Sequence, residues 1–427
     1  MLGSDPFSRY TTPEMGAIWS DAHRFALMAR IAALAAQARG GSAAEAARLG
    51  RVARRLDSPA EAARFADAVR AAESRTRHET AALLEVLGRR ARAARALHAG
   101  LTSSDLLDTA LAVQMRAAAG VLCAAFDELL RVVARLARTH ARTVMIGRTH
   151  GMQAEPITFG LKAAGWHVSV RRVREALAAA RETVSIGKLS GAVGTYVHVS
   201  SAAEARVCRR LGLRPAVAAT QVVPREVHAI LVTRCALAAA VLEKIATEIR
   251  HLQRTEVREV EEPFASGQVG STAMPHKRNP VRCERVCGQA RLVRGFSSAA
   301  LENVALWHER DMSHSSVERV ALPGATGLLH FMLREMTDVL RRLRIYPARM
   351  RHNLEASGGL VYSERVMLAL VEVGLPRPRA YALVQRLAAR AWEGGTSFRE
   401  LVAAAPEIRR RFRPAQVAAW FDPRLAL

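Results

Sequence analysis

From about Arg225 to Glu262 the chain keeps a helical apolar pattern, far longer than the usual helix of about 11–12 residues. Val241, Ile245, Ile249 and Leu252 stand four, four and three apart, the stripe of a helix packed along its neighbours. Flanking runs around 157–183 and 281–304 could supply those neighbours. Residues 14–38, 59–98 and 105–143 read as further amphipathic helices, punctuated by Gly40–Gly41, Gly100 and the Gly147 to Gly151 stretch. Strand-like alternation is scarce, so a mainly α chain is expected. Ala and Leu abound between Arg and Glu residues, a helix-forming composition. With 427 residues, half of them apolar, the length exceeds one ordinary core and predicts two or three domains.

The net charge of +24 invites a nucleic-acid partner. All but four of the 63 basic residues are Arg, spread along the whole chain and often beside Glu or Asp. No aromatic-interleaved nucleic-acid motif accompanies them. The expectation is a general Arg bias whose positive field favours anionic substrates, with no specific nucleic-acid binding. Weak non-specific binding at low salt is still expected. Five cysteines (Cys123, Cys208, Cys235, Cys283 and Cys287) make no framework. Cys283 and Cys287 share a helical face but supply only two ligands, so reduced thiols and no metal are expected. The start, Met-Leu-Gly-Ser-Asp, lacks a signal-peptide core. The charge-free stretch Val320 to Leu333 is too short for a bilayer. A cytoplasmic protein without a membrane partner is expected.

Chemistry concentrates in GSTAMPHKRNP, from Gly270 to Pro280. Gly270 gives backbone freedom, Ser271 and Thr272 give hydroxyls, and His276, Lys277 and Arg278 give cationic or titratable groups. Such a loop suits a small polyanion, because backbone N–H groups and positive side chains can surround carboxylates. On the residues alone, Lys277 rivals Ser271 as a base. His150, between Thr149 and Gly151, titrates near neutral pH and suits acid chemistry, although a lone His is more often structural. Ser315 and Arg319 stand four apart, with Arg310 from the preceding turn. Two guanidinium forks and a hydroxyl make a phosphate clamp, whereas solvated Arg is the plainer alternative.

The Gly270–Pro280 segment resembles the signature loop of the fumarase/aspartase superfamily. Four further blocks agree: LTSSDLLDT at 101–109, GRTHGMQAEPITFG at 147–160, LWHERDMSHSSVERV at 306–320 and TEIRHLQRTEVREVEE from Thr247 to Glu262. With RYTTPEMGAIW, from Arg9 to Trp19, the text is similar to the adenylosuccinate lyase branch, from about residue 9 nearly to the C-terminus. The resemblance implies a three-domain, mainly α fold: an N-terminal helical domain (1–105), a central long-helix domain (106–350) and a C-terminal helical domain (351–427). Four central domains would pack as a twenty-helix core in a homotetramer, each site drawing on three chains.

The same resemblance assigns roles. Ser271 would abstract a proton beside a carboxylate, and His150 would return one to the departing nitrogen. Lys277 and Asn279 would hold carboxylates; Arg310, Ser315 and Arg319, with Arg9 and Tyr10, would hold a nucleotide phosphate. Arg285, Gln221, Thr102, Ser103, Thr149 and Thr272 would touch substrate, with His98 in support and helix capping as the alternative for Ser103. Arg77-His78-Glu79 resembles the family's Arg-His-Asp element, with a carboxylate one methylene longer. Thr272 replaces a serine, and Cys283 stands where serine is common. The implied reaction is release of fumarate from N6-succinyl-AMP and from the succinylated imidazole-carboxamide ribotide of purine synthesis, without metal or organic cofactor. A paralogue acting on another aspartate-derived adduct is the nearest rival, a carboxymuconate cycloisomerase a more distant one. An inactive structural or nucleic-acid-binding relative is the rival of another class.

Overall fold

The computed structural model describes residues 8–423 except 41, 94, 266, 268, 269 and 272. Its longest elements are the helices Ser103–Thr139, Phe159–Thr183, Glu226–Gln253, Val281–Glu302 and Ser313–Arg341. The first has 37 residues, about 55 Å at the usual rise. Of the predicted stripe, Ile245, Ile249 and Leu252 are buried and Val241 is half-buried. Partly buried ion pairs tie the long helices together: Arg174 to Asp127, Lys162 to Glu248, Arg294 to Glu243 and Arg282 to Asp338. The expectation of a mainly α chain holds.

By internal contacts the chain forms two compact units that divide the long helices. One comprises residues up to 128, Val170–Lys244 and Arg285–Met336. Its N-terminal part packs helices Asp21–Arg39, Ala43–Arg55, Pro59–Thr76 and Glu79–Ala91 around Phe25, Met28, Leu49, Phe65, Leu83 and Leu87. Two sequence readings need correction here. The 14–38 run is two helices, because Ser20 ends the first and its hydroxyl accepts the His23 N–H of the second at 3.2 Å. The 59–98 run breaks at Arg77, which adopts a left-handed φ of 53° as a helix C-cap, and helix ends altogether at Ala91.

The other unit comprises Leu129–Ser169, Ile245–Glu284 and the chain from Thr337 onward. Leu354, Val366, Leu370, Phe398 and Ile408 centre its core, joined by Ile146 from a hairpin. That hairpin, Val144–Thr149 paired antiparallel with Met152–Thr158, departs from the sequence reading of a bare glycine break. Gly147 and Pro156 hide it, since both punctuate strands, and its register shifts between Ile146 and Arg148. The long 225–262 run also ends early, at Gln253, and Val260–Glu261 pairs antiparallel with Arg344–Ile345. Among the described residues no helix is long and apolar enough to cross a membrane.

Candidate active site

His150 occupies the tip of the hairpin. Thr149 pairs with Met152, so His150 and Gly151 form a two-residue turn, both with positive φ (55° and 79°). That is the backbone of a type I′ connection, for which glycine at the second place is suited. Thr149 and His150 are exposed. The strand before them is fixed: Arg148 donates twice to the buried Glu259, at 2.9 and 2.7 Å, and Glu259 also accepts from Asn353 Nδ2 at 2.8 Å. A bidentate guanidinium–carboxylate pair on a buried acid holds the hairpin in one pose.

In the same unit, the signature loop is built around its serine. Ser271 Oγ accepts the backbone N–H groups of Ala273 and Met274 at 3.3 and 3.1 Å. Gly270 lies so close to the Lys277 carbonyl that a Cβ there would come to 2.1 Å of the oxygen, so no other residue fits. Asn279 Nδ2 donates to Gly270 O at 3.1 Å and closes the base of the loop. Glu262 accepts the N–H groups of Arg282 and Cys283 at 3.1 and 3.2 Å, capping the first turn of the following helix. Burial pushes the Glu262 carboxyl up, and these N–H bonds offset only part of that. Lys277 and Asn279 line a cavity of about 1510 Å³ with Arg250, Arg254 and Arg258. Ser271 and His150 are not among its lining residues. Thr272 lies outside the described residues. Cys283 is fully buried, so the site loses no exposed hydroxyl there.

The clamp residues belong to the first unit. Arg310, Ser315 and Arg319 line one cavity of about 300 Å³. Arg310 donates to Gln221 Oε1 at 3.0 Å, while Gln221 Nε2 donates to Ala192 O at 3.1 Å. Gln221 therefore tethers a clamp arm. Arg319 donates to Glu79, whose other oxygen accepts from Arg24 at 2.6 Å. The longer carboxylate at position 79 thus bridges two guanidiniums. Beneath these arms lies a buried charge cluster. Arg225 donates to both oxygens of Asp108 at 2.9 and 3.0 Å, and His228 meets Glu318 at 2.6 Å. Burial would raise the Asp108 and Glu318 carboxyls. The Arg225 charge holds Asp108 low instead, and His228, His314 and Arg225 together hold Glu318 well below the usual range.

The remaining predicted residues scatter over the first unit. His78 caps the helix from Glu79, its Nδ1 accepting the Ala81 N–H at 3.3 Å, while Arg77 is exposed. Thr102 precedes the Ser103 helix, and its N–H is accepted by Asp105 at 2.8 Å, which makes capping the visible role of this turn. His98 has a left-handed φ of 57° and a buried Nε2 without a hydrogen-bond partner among the described residues. Burial lowers its pKa, and the nearby Asp105 charge opposes that shift. Arg285 pairs with Glu335 at 3.2 Å. Arg9 is exposed in a short turn, and the Tyr10 ring meets Phe331 edge-on at 5.3 Å. Sequence reasoning overlooked Glu259 and Glu262, which anchor the hairpin and the loop. Both stand in the quoted EVEE text after Arg258, and three acids within four residues of a basic chain were the signal.

A family model described as Lyase matches residues 9–295, and one described as Adenylosuccinate lyase C-terminus matches 359–427. The adenylosuccinate lyase of Synechocystis sp. is 48% identical over 424 residues, covering 97% of this chain and 96% of that protein. The adenylosuccinate lyase of Bacillus subtilis is 43% identical over 420 residues, covering 97% and 95%. The crystal structure of a fumarate lyase from Mesorhizobium sp. BNC1 superimposes with a TM-score of 0.88 at 27% identity, covering 100% of this chain and 96% of that one. Matches of this extent, on a helical fold carrying the signature loop, place the chain in the adenylosuccinate lyase family of the fumarase/aspartase superfamily.

Proposed function

We propose that the chain eliminates fumarate from N6-succinyl-AMP, leaving AMP, and does the same with succinylaminoimidazole carboxamide ribotide. Ser271 Oγ takes the proton from the succinyl carbon beside a carboxylate, and the electron pair spreads into that carboxylate. The carbon–nitrogen bond then breaks, fumarate forms, and His150 gives a proton to the departing nitrogen. Lys277 and Asn279 hold the carboxylates, and Arg310, Ser315 and Arg319, with Arg9 and Tyr10, hold the phosphate. Arg77, His78, His98, Thr102, Ser103, Thr149, Gln221 and Arg285 complete the substrate surround, Gln221 through its tether on Arg310. The step needs charge stabilisation rather than a metal or cofactor.

The two N–H groups on Ser271 Oγ carry this reading. An alkoxide is far too basic for water at neutral pH, and paired backbone donors are what lower its cost. The common alternative, a serine merely closing a turn, gives the same bonds, and the turnover of Ser271→Ala separates the two. A cytoplasmic homotetramer of three-domain chains, divided near residues 105 and 350, is part of the reading. Leu161, Leu237, Leu292 and Leu301, on the long helices, are 61%, 47%, 51% and 54% exposed and would be covered by other copies.

The test is ultraviolet absorbance of the purified chain with N6-succinyl-AMP. Argininosuccinate and carboxymuconate serve as controls. Turnover of the succinylated nucleotide is the expected result; turnover of a control alone would replace this assignment with a paralogue's.

A further inference from the structure

We infer that Lys188 is a positioning residue: one buried ammonium sets both the turn that opens the Ser103 helix and an arm of the clamp. Its side chain is completely buried, as is that of Asp105. Nζ donates to Asp105 Oδ1 at 2.6 Å and to the Gly191 carbonyl at 3.0 Å. From there the bonds continue in two directions. Toward the turn, Asp105 Oδ2 accepts the Thr102 N–H at 2.8 Å. Toward the clamp, the carbonyl of Ala192, next to Gly191, accepts from Gln221 Nε2 at 3.1 Å, and Gln221 Oε1 accepts from Arg310 at 3.0 Å. Thr102 and Arg310 are thus joined by one line of bonds, whose two halves meet at Lys188.

An ion pair that merely stabilises the fold is the plainer alternative, and its energetics argue against it. Desolvating two charges offsets most of their attraction, so an apolar pair of similar volume is often as stable. What the ammonium adds is several directed donors from one atom, which tie separate segments together. The surroundings hold it still. The Lys188 N–H donates to Thr109 Oγ1 at 3.0 Å, and the Lys188 carbonyl accepts from that hydroxyl at 2.9 Å, fixing the backbone on the long helix. Glu204 closes the loop that follows, accepting the Leu189 N–H at 2.6 Å and the Tyr196 hydroxyl at 2.8 Å. Residue type fits as well. In a chain where all but four of the 63 basic residues are Arg, this place holds a lysine, whose compact charge suits two acceptors from different segments better than a planar fork. The consequence for substrate rests on the proposed function, in which Thr102 and Ser103 meet the substrate and Arg310 its phosphate. Loosening Lys188 should then weaken both ends together and spare the chemistry, since Ser271 and His150 take no part in these bonds.

Lys188→Met alone strands a buried carboxylate and endangers the fold. The test therefore uses the full chain carrying Lys188→Met with Asp105→Asn, which leaves no charge unpaired and still offers an oxygen to the Thr102 N–H. Leu370→Ala, a core truncation in the other unit, controls for lost stability. KM for N6-succinyl-AMP should rise about tenfold in the double variant with kcat within about threefold of wild type, the sign of binding lost equally from ground and transition states. Inhibition by AMP reads the clamp. Inhibition by succinate reads the turn, whose hydroxyls and first-turn N–H groups suit a carboxylate. Each should weaken about fivefold, and Leu370→Ala should change neither. Unchanged inhibition constants, weakening at one end only, equal weakening in Leu370→Ala, or a double variant that does not fold overturns the inference. Amide hydrogen exchange separates it from the proposed function. Exchange in segments 100–105 and 189–196 should quicken about tenfold in the double variant and stay unchanged in Leu370→Ala. If the wild type leaves N6-succinyl-AMP intact, the proposed function fails and exchange alone decides: quickened exchange keeps Lys188 as the pin, and unchanged exchange removes it.

Discussion

Around Arg310 and Arg319 the charges already have protein partners: Gln221 on one arm, Glu79 on the other, and the buried Arg225, Asp108 and Glu318 beneath. Along the signature loop the picture reverses. Lys277 is exposed beside a cavity lined by Arg250, Arg254 and Arg258, with Glu261 and Glu284 the acids among its described lining residues. Both regions are suited to anions, but both clamp arms meet protein partners, whereas on the loop Glu261 holds Arg278 and leaves the Lys277 ammonium without a partner among the described residues. A pre-paired arm keeps its geometry and, on the proposed function, would make an arriving phosphate compete with Glu79. A lysine with no partner among the described residues would, on the proposed function, give its full charge and rely on the substrate to complete the site.

The largest effect should come from the chemistry on the loop side. Ser271→Ala and His150→Ala should each lower kcat about 10³-fold, within the range for a lost general acid or base, with the helical content unchanged by circular dichroism. A variant keeping more than a tenth of wild-type turnover would remove its residue from the mechanism. Next comes the buried pairing on the clamp side. Asp108→Asn should destabilise the fold by about 3 kcal/mol at neutral pH, since it leaves the buried Arg225 with only Glu318, at 3.3 Å, as a carboxylate partner among the described residues. Because the folded Asp108 carboxyl is held below its ordinary 3.8, its contribution is full above that value and is lost as pH falls through the folded one. Urea unfolding of wild type and variant should therefore converge only under strongly acidic conditions. A gap that stays constant into acid would mean that the charge is not the cause.

The smallest effect probes the competition itself. Glu79→Gln keeps the side chain's length but removes its charge, so Arg319 should face the phosphate less neutralised. KM for the succinylated nucleotide should fall about threefold with kcat unchanged, a shift fitting a pair whose arginine is half exposed. A rise in KM would show that Glu79 orients Arg319 rather than competing for it.

How much of this was legible depends on the range of the interactions. The long helices were readable because their stripe repeats locally, as Ile245, Ile249 and Leu252 show by being buried. The split at Arg77 was not, since a left-handed arginine leaves no mark that a glycine would. The hairpin was lost for the same local reason, its strands carrying the glycine and proline that usually end strands. Family text singled out Ser271, His150 and Arg319 as candidate site residues. Nothing along the chain could reveal that Glu79 meets Arg319 across 240 positions, or that Gln221 tethers Arg310 across 89. Such pairings are products of folding, and residue type alone offers too many candidates in a chain so rich in arginine.

The amide of Asn279 rests on the Gly270 carbonyl at the foot of the loop. If that same amide must turn to greet an incoming carboxylate, the knot at the foot of the loop is untied by the substrate itself. Recognition and release of the segment bearing the serine would then be a single event, and an empty enzyme would keep its strongest base knotted out of use.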